Sequence, residues 1–241
     1  MVNLLDPSNV ITRMFNAGKY EEMYNYCKSL LEKIPNDMVA LQNICLSLIY
    51  LEKYQEAISY CDKVLEIKKS DTYALKNKIY ALESLGEYQQ VLKLCEEILS
   101  SNPKDSWALN SMGLSLNESN QHKEALEYYE KALAIDPTDV TALMNKAISH
   151  SHLGDYEVAV EFYDKAQMVD SSLKEIPLAK SKLFEKLGDS DNAFLAAQGV
   201  LNKDMEKIKI AAKENKCSLF HQVCENEFEE LDSKKSKMKI N

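Results

Sequence analysis

The stretch Ser106–Asp139, SWALNSMGLSLNESNQHKEALEYYEKALAIDPTD, decides the reading of this chain. Its first half repeats apolar or small residues at Leu109, Met112, Gly113 and Leu116, the i, i+3, i+4, i+7 stripe of a helix. Its second half carries a like stripe at Ala125, Tyr129, Ala132 and Leu133. Pro137 follows the second stripe, where proline cannot continue the preceding helix. The stretch therefore reads as two amphipathic helices joined by a short polar turn.

The same pattern returns along the chain at an interval of 34 residues. Leu41, Leu75, Leu109 and Leu143 keep that interval, as do Pro103 and Pro137, with Pro35 two intervals before Pro103. Gly18, Gly86, Gly154 and Gly188 fall in one register, and Tyr20, Tyr54, Tyr88 and Tyr156 stand two places after each glycine-equivalent position. Ala57, Ala125, Ala159 and Ala193 come three residues later still, small enough to let two helix axes approach. Glycine or a polar residue between the helices suits a turn at positive φ. Each helix pair has apolar residues on more than one face, cannot bury them alone, and must stack on neighbours.

This period resembles the tetratricopeptide repeat (TPR) family, whose pattern places Trp, Leu, Gly and Tyr in the first helix and Ala, an aromatic, Ala and Pro in the second. In 106–139 Leu109 stands for the Trp and Leu116 for the Tyr, while the second helix follows the pattern closely. The resemblance covers six copies in unbroken register, 4–37, 38–71, 72–105, 106–139, 140–173 and 174–207. It implies an all-α fold, a right-handed superhelical solenoid of six helix-turn-helix repeats with a C-terminal capping helix.

Composition agrees. The chain of 241 residues holds only 6 glycines and 5 prolines, too few for many short strands and turns, and its 45% hydrophobic content suffices for a substantial core. The formal net charge of -9 argues against a general nucleic-acid or anionic-membrane surface, which needs clustered Lys and Arg. No apolar run is long enough to span a bilayer. Met1 to Thr12 shows no charged start followed by an apolar core, so the expected location is the cytoplasm.

The ends are atypical. Pro7 and Pro177 replace the leucine of the middle repeats, and Asp6-Pro7 reads as an N-cap followed by proline in the first helical turn. After 207 the register fails. Met205, Ile208, Ala212, Leu219, Val223 and Cys224 predict a capping helix or helix pair over 208–231 that covers the last repeat. Residues 232–241, with Lys234, Lys235, Lys237 and Lys239, read as a disordered lysine-rich tail.

The candidate chemistry resolves toward packing. Cys27, Cys61 and Cys95 occupy the position of Tyr129 and Tyr163 in the second helix, and Cys45 that of Gly113, so all four read as reduced core thiols. Cys217, His221 and Cys224 share a helix face at i, i+4, i+7 but match no zinc spacing and read as cap core. His150 and His152, two apart, point about 200° from each other on a helix and cannot clasp one ion unaided. No phosphate loop, HExxH or nucleophile elbow occurs, so neither cofactor nor metal is expected and the chain does not read as an enzyme.

In the TPR superhelix the first helix of each pair lines the concave surface. The face opposite the packing stripe there carries Val39, Gln42, Asn43, Leu46, Ile49 and Tyr50, then Tyr73, Lys76, Asn77 and Tyr80. It continues with Trp107, Asn110, Ser111, Leu114 and Asn117, then Thr141, Met144, Asn145, Ile148 and His152. Asn43, Asn77 and Asn145 share one repeat position, with Ser111 in the gap. This resembles the asparagine ladder by which some family members hold a peptide backbone, a role suited to an amide that both donates and accepts. Leu46, Tyr50, Tyr73, Tyr80, Trp107, Leu114, Met144 and Ile148 form an apolar strip that either lines a partner groove or packs between repeats. The carboxylate clamp of chaperone-binding members is not matched: Lys76 is isolated, and Tyr73 and Trp107 stand where a clamp needs a cation. The leading expectation is a scaffold or adaptor that binds a protein or peptide partner in the concave groove. The alternative is a non-catalytic auxiliary subunit that positions a separate enzyme through its convex surface or C-terminal cap.

Overall fold

In the computed structural model, residues 6–213 are described. They form thirteen helices and, among the described residues, no strand. The chain divides after Ser119 into two compact units. The first unit holds α1 (Pro7–Asn16), α2 (Tyr20–Lys33), α3 (Met38–Tyr50), α4 (Tyr54–Ile67), α5 (Thr72–Ser84), α6 (Tyr88–Ser101) and α7 (Ser106–Glu118). The second holds α8 (His122–Ile135), α9 (Val140–Leu153), α10 (Tyr156–Val169), α11 (Glu175–Lys186), α12 (Ser190–Ala197) and α13 (Asn202–Lys213). Among the described residues no helix is long and apolar enough to cross a membrane.

Two local devices repeat with the sequence period. Asp37, Asp71, Asp105 and Asp139 each cap the first helix of a pair, the carboxylate accepting from the backbone N–H of Ala40, Ala74, Ala108 and Ala142 at 2.8–3.0 Å. Such a cap satisfies an N–H that has no partner inside the helix. Asp6 does the same for α1, accepting from Ser8, with Pro7 in the first turn. Between the two helices of a pair the chain turns through the left-handed region. Gly18, Gly86, Gly154 and Gly188 take it with φ of 68°, 76°, 86° and 74°. Glu52 and Asn120 hold the same repeat position with φ of 58° and 63°, a conformation that strains a residue with a Cβ.

The small residues read as close-approach points are buried: Ala57, Ala125, Ala159 and Ala193, with Val91 at that place in the third repeat. In the first unit Leu41, Val64 and Ala74 form one core cluster that joins three consecutive helices of the array. In the second, Leu143, Ala147, Val160, Tyr163, Ile176, Leu183 and Phe184 continue through Leu195 and Val200 to Met205 and Ile208 of α13. Each such Val, Leu, Ile, Phe or Met side chain adds roughly 1.5–3 kcal/mol of burial, against the entropy of ordering it.

One expectation needs correction. The periodicity makes Cys45 and Cys61 reduced core thiols, but the structure pairs them in a disulfide. They sit sixteen residues apart on facing helices of one repeat, with a Cα–Cα distance of 6.0 Å, within the span a disulfide bridges. Cys27 and Cys95 are free and buried. Desolvation pushes both thiols up to about 12, with nearby carboxylates adding (Asp37 for Cys27, Glu83 and Asp105 for Cys95), so they are poor nucleophiles. In the sixth repeat α12 is only 8 residues long. Gly199, at φ 85°, ends it early, and α13 begins at Asn202, inside the span assigned to the repeat. The zinc-like set Cys217, His221 and Cys224 and the 232–241 tail lie outside the described residues, as does the 208–231 segment beyond 213.

Candidate partner-binding face

In the first unit the expected face is carried by α3, α5 and α7. Tyr50, Tyr73 and Tyr80 are exposed, at 48%, 43% and 50%. Tyr50 closes α3 and stacks on Tyr20 with ring centroids 4.5 Å apart, while Phe15 meets it edge-on at 5.3 Å. Tyr73 opens α5. Desolvation raises its phenol, the Asn77 side chain opposes that shift, and Tyr50 adds to it, so the three side chains are neighbours. Trp107 is half-buried near the start of α7. The Lys76 ammonium lies 4.8 Å from its ring centroid and pairs with Asp105, the α7 cap, at 3.4 Å. Gln42 makes the equivalent contact one repeat earlier, donating to the Asp71 cap at 3.1 Å. Burial works to raise the Asp71 carboxyl, but hydrogen bonds from Ala74, Lys68 and Gln42 hold it below the usual range.

The asparagine register does not behave as a uniform ladder. Asn43 turns its amide back onto α3, donating to Val39 O at 2.7 Å. Asn77 has a buried Nδ2 and turns its side chain to the Tyr73 phenol of its own helix. Ser111 leaves the face: it is 5% exposed and hydrogen-bonds Glu83 of α5. Ile49, Asn110 and Asn117, read on the same face, are also buried, because that side of each first helix is wide enough to meet its neighbours. Leu46 and Leu114 are half-buried. In the second unit, Met144 and Ile148 are partly covered by that unit's own core, and Asn145 is half-buried beside them. His150 contacts Asp155 at 3.3 Å and stacks on Phe162, and His152 stacks on His122 with centroids 4.7 Å apart.

Sequence reading missed two polar features. Glu83 is pushed up to about 7 by desolvation, opposed by the Ser111 hydroxyl, and its Oε1 is buried without a hydrogen bond. The other is an ion pair repeated at fixed spacing: Lys78 with Asp62, Lys146 with Glu130 and Lys180 with Asp164. Each joins a first helix to the second helix of the preceding repeat. The interval of sixteen residues, repeated at the sequence period, was the signal that could have revealed it.

Helix pairs recurring at 34 residues, with an aspartate side-chain cap on the first helix of five of the six pairs and a left-handed turn inside each pair, define a repeat protein of helical hairpins. Residues 47–168, just over half of the chain, match the family described as the Psidin N-terminal TPR repeats region, and the chain belongs to this tetratricopeptide repeat family. No curated protein matches its sequence significantly. Among solved structures it resembles MamA (residues 41 to the end) from Desulfovibrio magneticus RS-1, with a TM-score of 0.62 and 24% identity over 69% of this chain and 94% of that one. It resembles PilW, described as a widely conserved type IV pilus biogenesis factor, with a TM-score of 0.72 and 18% identity over 79% and 88%. It also resembles YrrB, described as a TPR protein with an unusual peptide-binding site, with a TM-score of 0.52 and 16% identity over 70% and 88%. At these identities the likeness establishes the fold.

Proposed function

We propose that this chain is a non-catalytic, cytoplasmic scaffold or adaptor that binds a segment of a protein partner on the face formed by α3, α5 and α7. The observation that carries this reading is the exposure of Tyr50, Tyr73 and Tyr80 on helices whose other sides are buried. Large aromatic side chains left half in water are the usual anchors of an interface. The peptide-binding site named for YrrB is consistent with such use of the fold. Affinity capture identifies the partner, and substitution tests the face. Trp107→Ala or Tyr80→Ala should weaken that partner by about 2 kcal/mol or more, the scale of hot-spot truncations. Asn77→Ala should cost roughly 1 kcal/mol, one hydrogen bond between its amide and a backbone group of the partner. Glu127→Ala on exposed α8 surface serves as the control. Unchanged affinity in all three face variants, with the helical signal intact, rejects this site.

A second reading has its own support. Met168, Leu178 and Phe194 in the second unit are more than half exposed. They favour an auxiliary subunit that positions a separate enzyme through its outer surface or C-terminal cap. Partner loss on Phe194→Ala, with Tyr80→Ala neutral, selects it.

A further inference from the structure

We propose that the face of α3, α5 and α7 takes an amphipathic α-helix of the partner, laid along α5 with an uncharged apolar stripe inward; this deepens the partner-binding reading and rests on it. Charge sets the first condition. α3 holds no charged residue and α7 only Glu118, its last, whereas the second helices α2 and α4 hold five and four. The three charges of α5 are taken: Lys76 pairs with Asp105, Lys78 with Asp62, and Glu83 turns to Ser111 with its Oε1 buried. What these helices expose instead is Val39, Tyr50, Tyr73 and Tyr80, each more than two-fifths in water. Such a surface is complementary to the apolar stripe of an amphipathic helix and to no charged segment.

Hydrogen bonding selects a helix over an extended segment. An extended chain brings an N–H and a C=O at each residue, and each needs a partner once water is displaced. The polar side chains of this face are already engaged. Asn43 donates to Val39 O, Gln42 to the Asp71 cap, and Ser111 bonds Glu83. Asn110 and Asn117 are buried and partnered. Asn77 is turned to the Tyr73 phenol with its Nδ2 buried, so a partner meets at most its oxygen, enough for one open N–H in the first turn of a helix. An α-helix arrives with its other backbone groups paired within itself and needs only side-chain contact. The spacing agrees. Tyr73 and Tyr80 are seven residues apart, about 10 Å along α5 and within about 20° of one direction, the interval between residues i and i+7 of a partner helix lying alongside.

The chain's single tryptophan, Trp107, is half-buried on α7 of this face and is the reporter. The full chain is titrated with three tryptophan-free peptides of leucine and glutamine, with lysine at both ends for solubility. The first carries leucine at i, i+3, i+4 and i+7 of a helix, the second is the first with proline at its centre, and the third alternates leucine and glutamine as a strand does. The first should shift the Trp107 emission saturably, gain helical circular dichroism on binding, and bind about tenfold or more tighter than the other two. Tyr73→Ala and Tyr80→Ala should each weaken it about tenfold, the scale of an anchor truncation, with the chain's own circular dichroism unchanged. Equal binding of the helical and proline-broken peptides, or tighter binding of the alternating one, overturns the helix; the partner-binding face stands if Tyr80→Ala weakens whichever peptide binds. Insensitivity to both tyrosine substitutions, or no saturable shift with any peptide, also overturns the proposal. If the captured partner then tolerates the face substitutions as well, both readings fall.

Discussion

Lys146 of α9 reaches the Glu130 carboxylate of α8, sixteen residues earlier in the chain, at 3.0 Å. The same step joins Lys78 to Asp62 and Lys180 to Asp164, so one register position ties each of three repeats to its predecessor. Burial differs along the series. Asp62 is nearly half exposed, whereas Lys180 is fully buried and also donates to Gln167 Oε1 at 3.1 Å and to Val200 O at 2.9 Å.

That gradient predicts unequal costs. Lys78→Ala should destabilise by about 1 kcal/mol or less, as exposed pairs do. Lys180→Ala leaves Asp164 without its cation and should cost about 3–5 kcal/mol. The double variant Lys180→Met, Asp164→Asn should recover much of that, since no lone buried charge remains. Methionine already fills this register position at Met112. Urea melts of the four proteins decide, and equal effects at Lys78 and Lys180 would contradict the ranking.

The left-handed turns give a stabilising prediction. Glu52 holds φ 58° where other repeats have glycine. Glu52→Gly relieves a strain of about 1–2 kcal/mol, partly offset by the greater freedom of glycine in the unfolded chain, for a net gain of about 0.5–1 kcal/mol. Gly154→Ala should lose about 1 kcal/mol through φ alone, because its added Cβ meets nothing within 4 Å. A higher urea midpoint for the first variant and a lower one for the second are the expected results.

Glu83 sets a pH dependence. Desolvation raises its folded-state value from the ordinary 4.5 to about 7, against the Ser111 hydroxyl. The folded chain therefore holds this proton more tightly than the unfolded one. The associated stability is complete below 4.5 and is lost as pH rises through about 7. Glu83→Gln should remove that slope. The difference in urea midpoint between the native chain and Glu83→Gln, measured at several pH values across this window, isolates the effect. A constant difference would show that Glu83 ionises in the folded chain as it does in water.

The fold was legible because leucine, glycine, tyrosine, alanine and proline each recur at one interval, and α3, α5, α7 and α9 begin at that same interval. The aromatic part of the face was legible too, since Tyr50, Tyr73 and Tyr80 follow from helical periodicity alone. Partnering of polar side chains was not. Periodicity puts Asn43 and Asn77 in one register, but rotamer choice sends the first amide to the backbone of its own helix and the second to the Tyr73 phenol. Nor does periodicity distinguish two core thiols from a disulfide, because Cys45 and Cys61 meet only once the helices of their repeat are packed. The early end of α12 depended on Gly199 overriding a register that the preceding residues still kept.

The last prediction concerns that early end. Met205 and Ile208 of α13 are buried in the second unit's core, while Ile210 of the same helix is half exposed. The helix is also anchored at its start. The Asn202 N–H donates to Asp164 Oδ2 at 2.8 Å, and Gln167 donates to Gly199 O at 2.6 Å, so α10 holds the turn that launches α13. Met205→Ala should therefore cost about 2–4 kcal/mol, as core truncations do. Ile210→Ala should stay within about 0.5 kcal/mol. A chain ended at Leu201 loses both buried side chains and the Asn202 donor together, and should melt at least as early as Met205→Ala. If Met205→Ala and the shortened chain both keep the native midpoint, α13 contributes nothing to the second unit and its burial there is wrong. If the shortened chain alone is destabilised, the turn and the Asp164 contact hold the end of the array, and the apolar face of α13 does not.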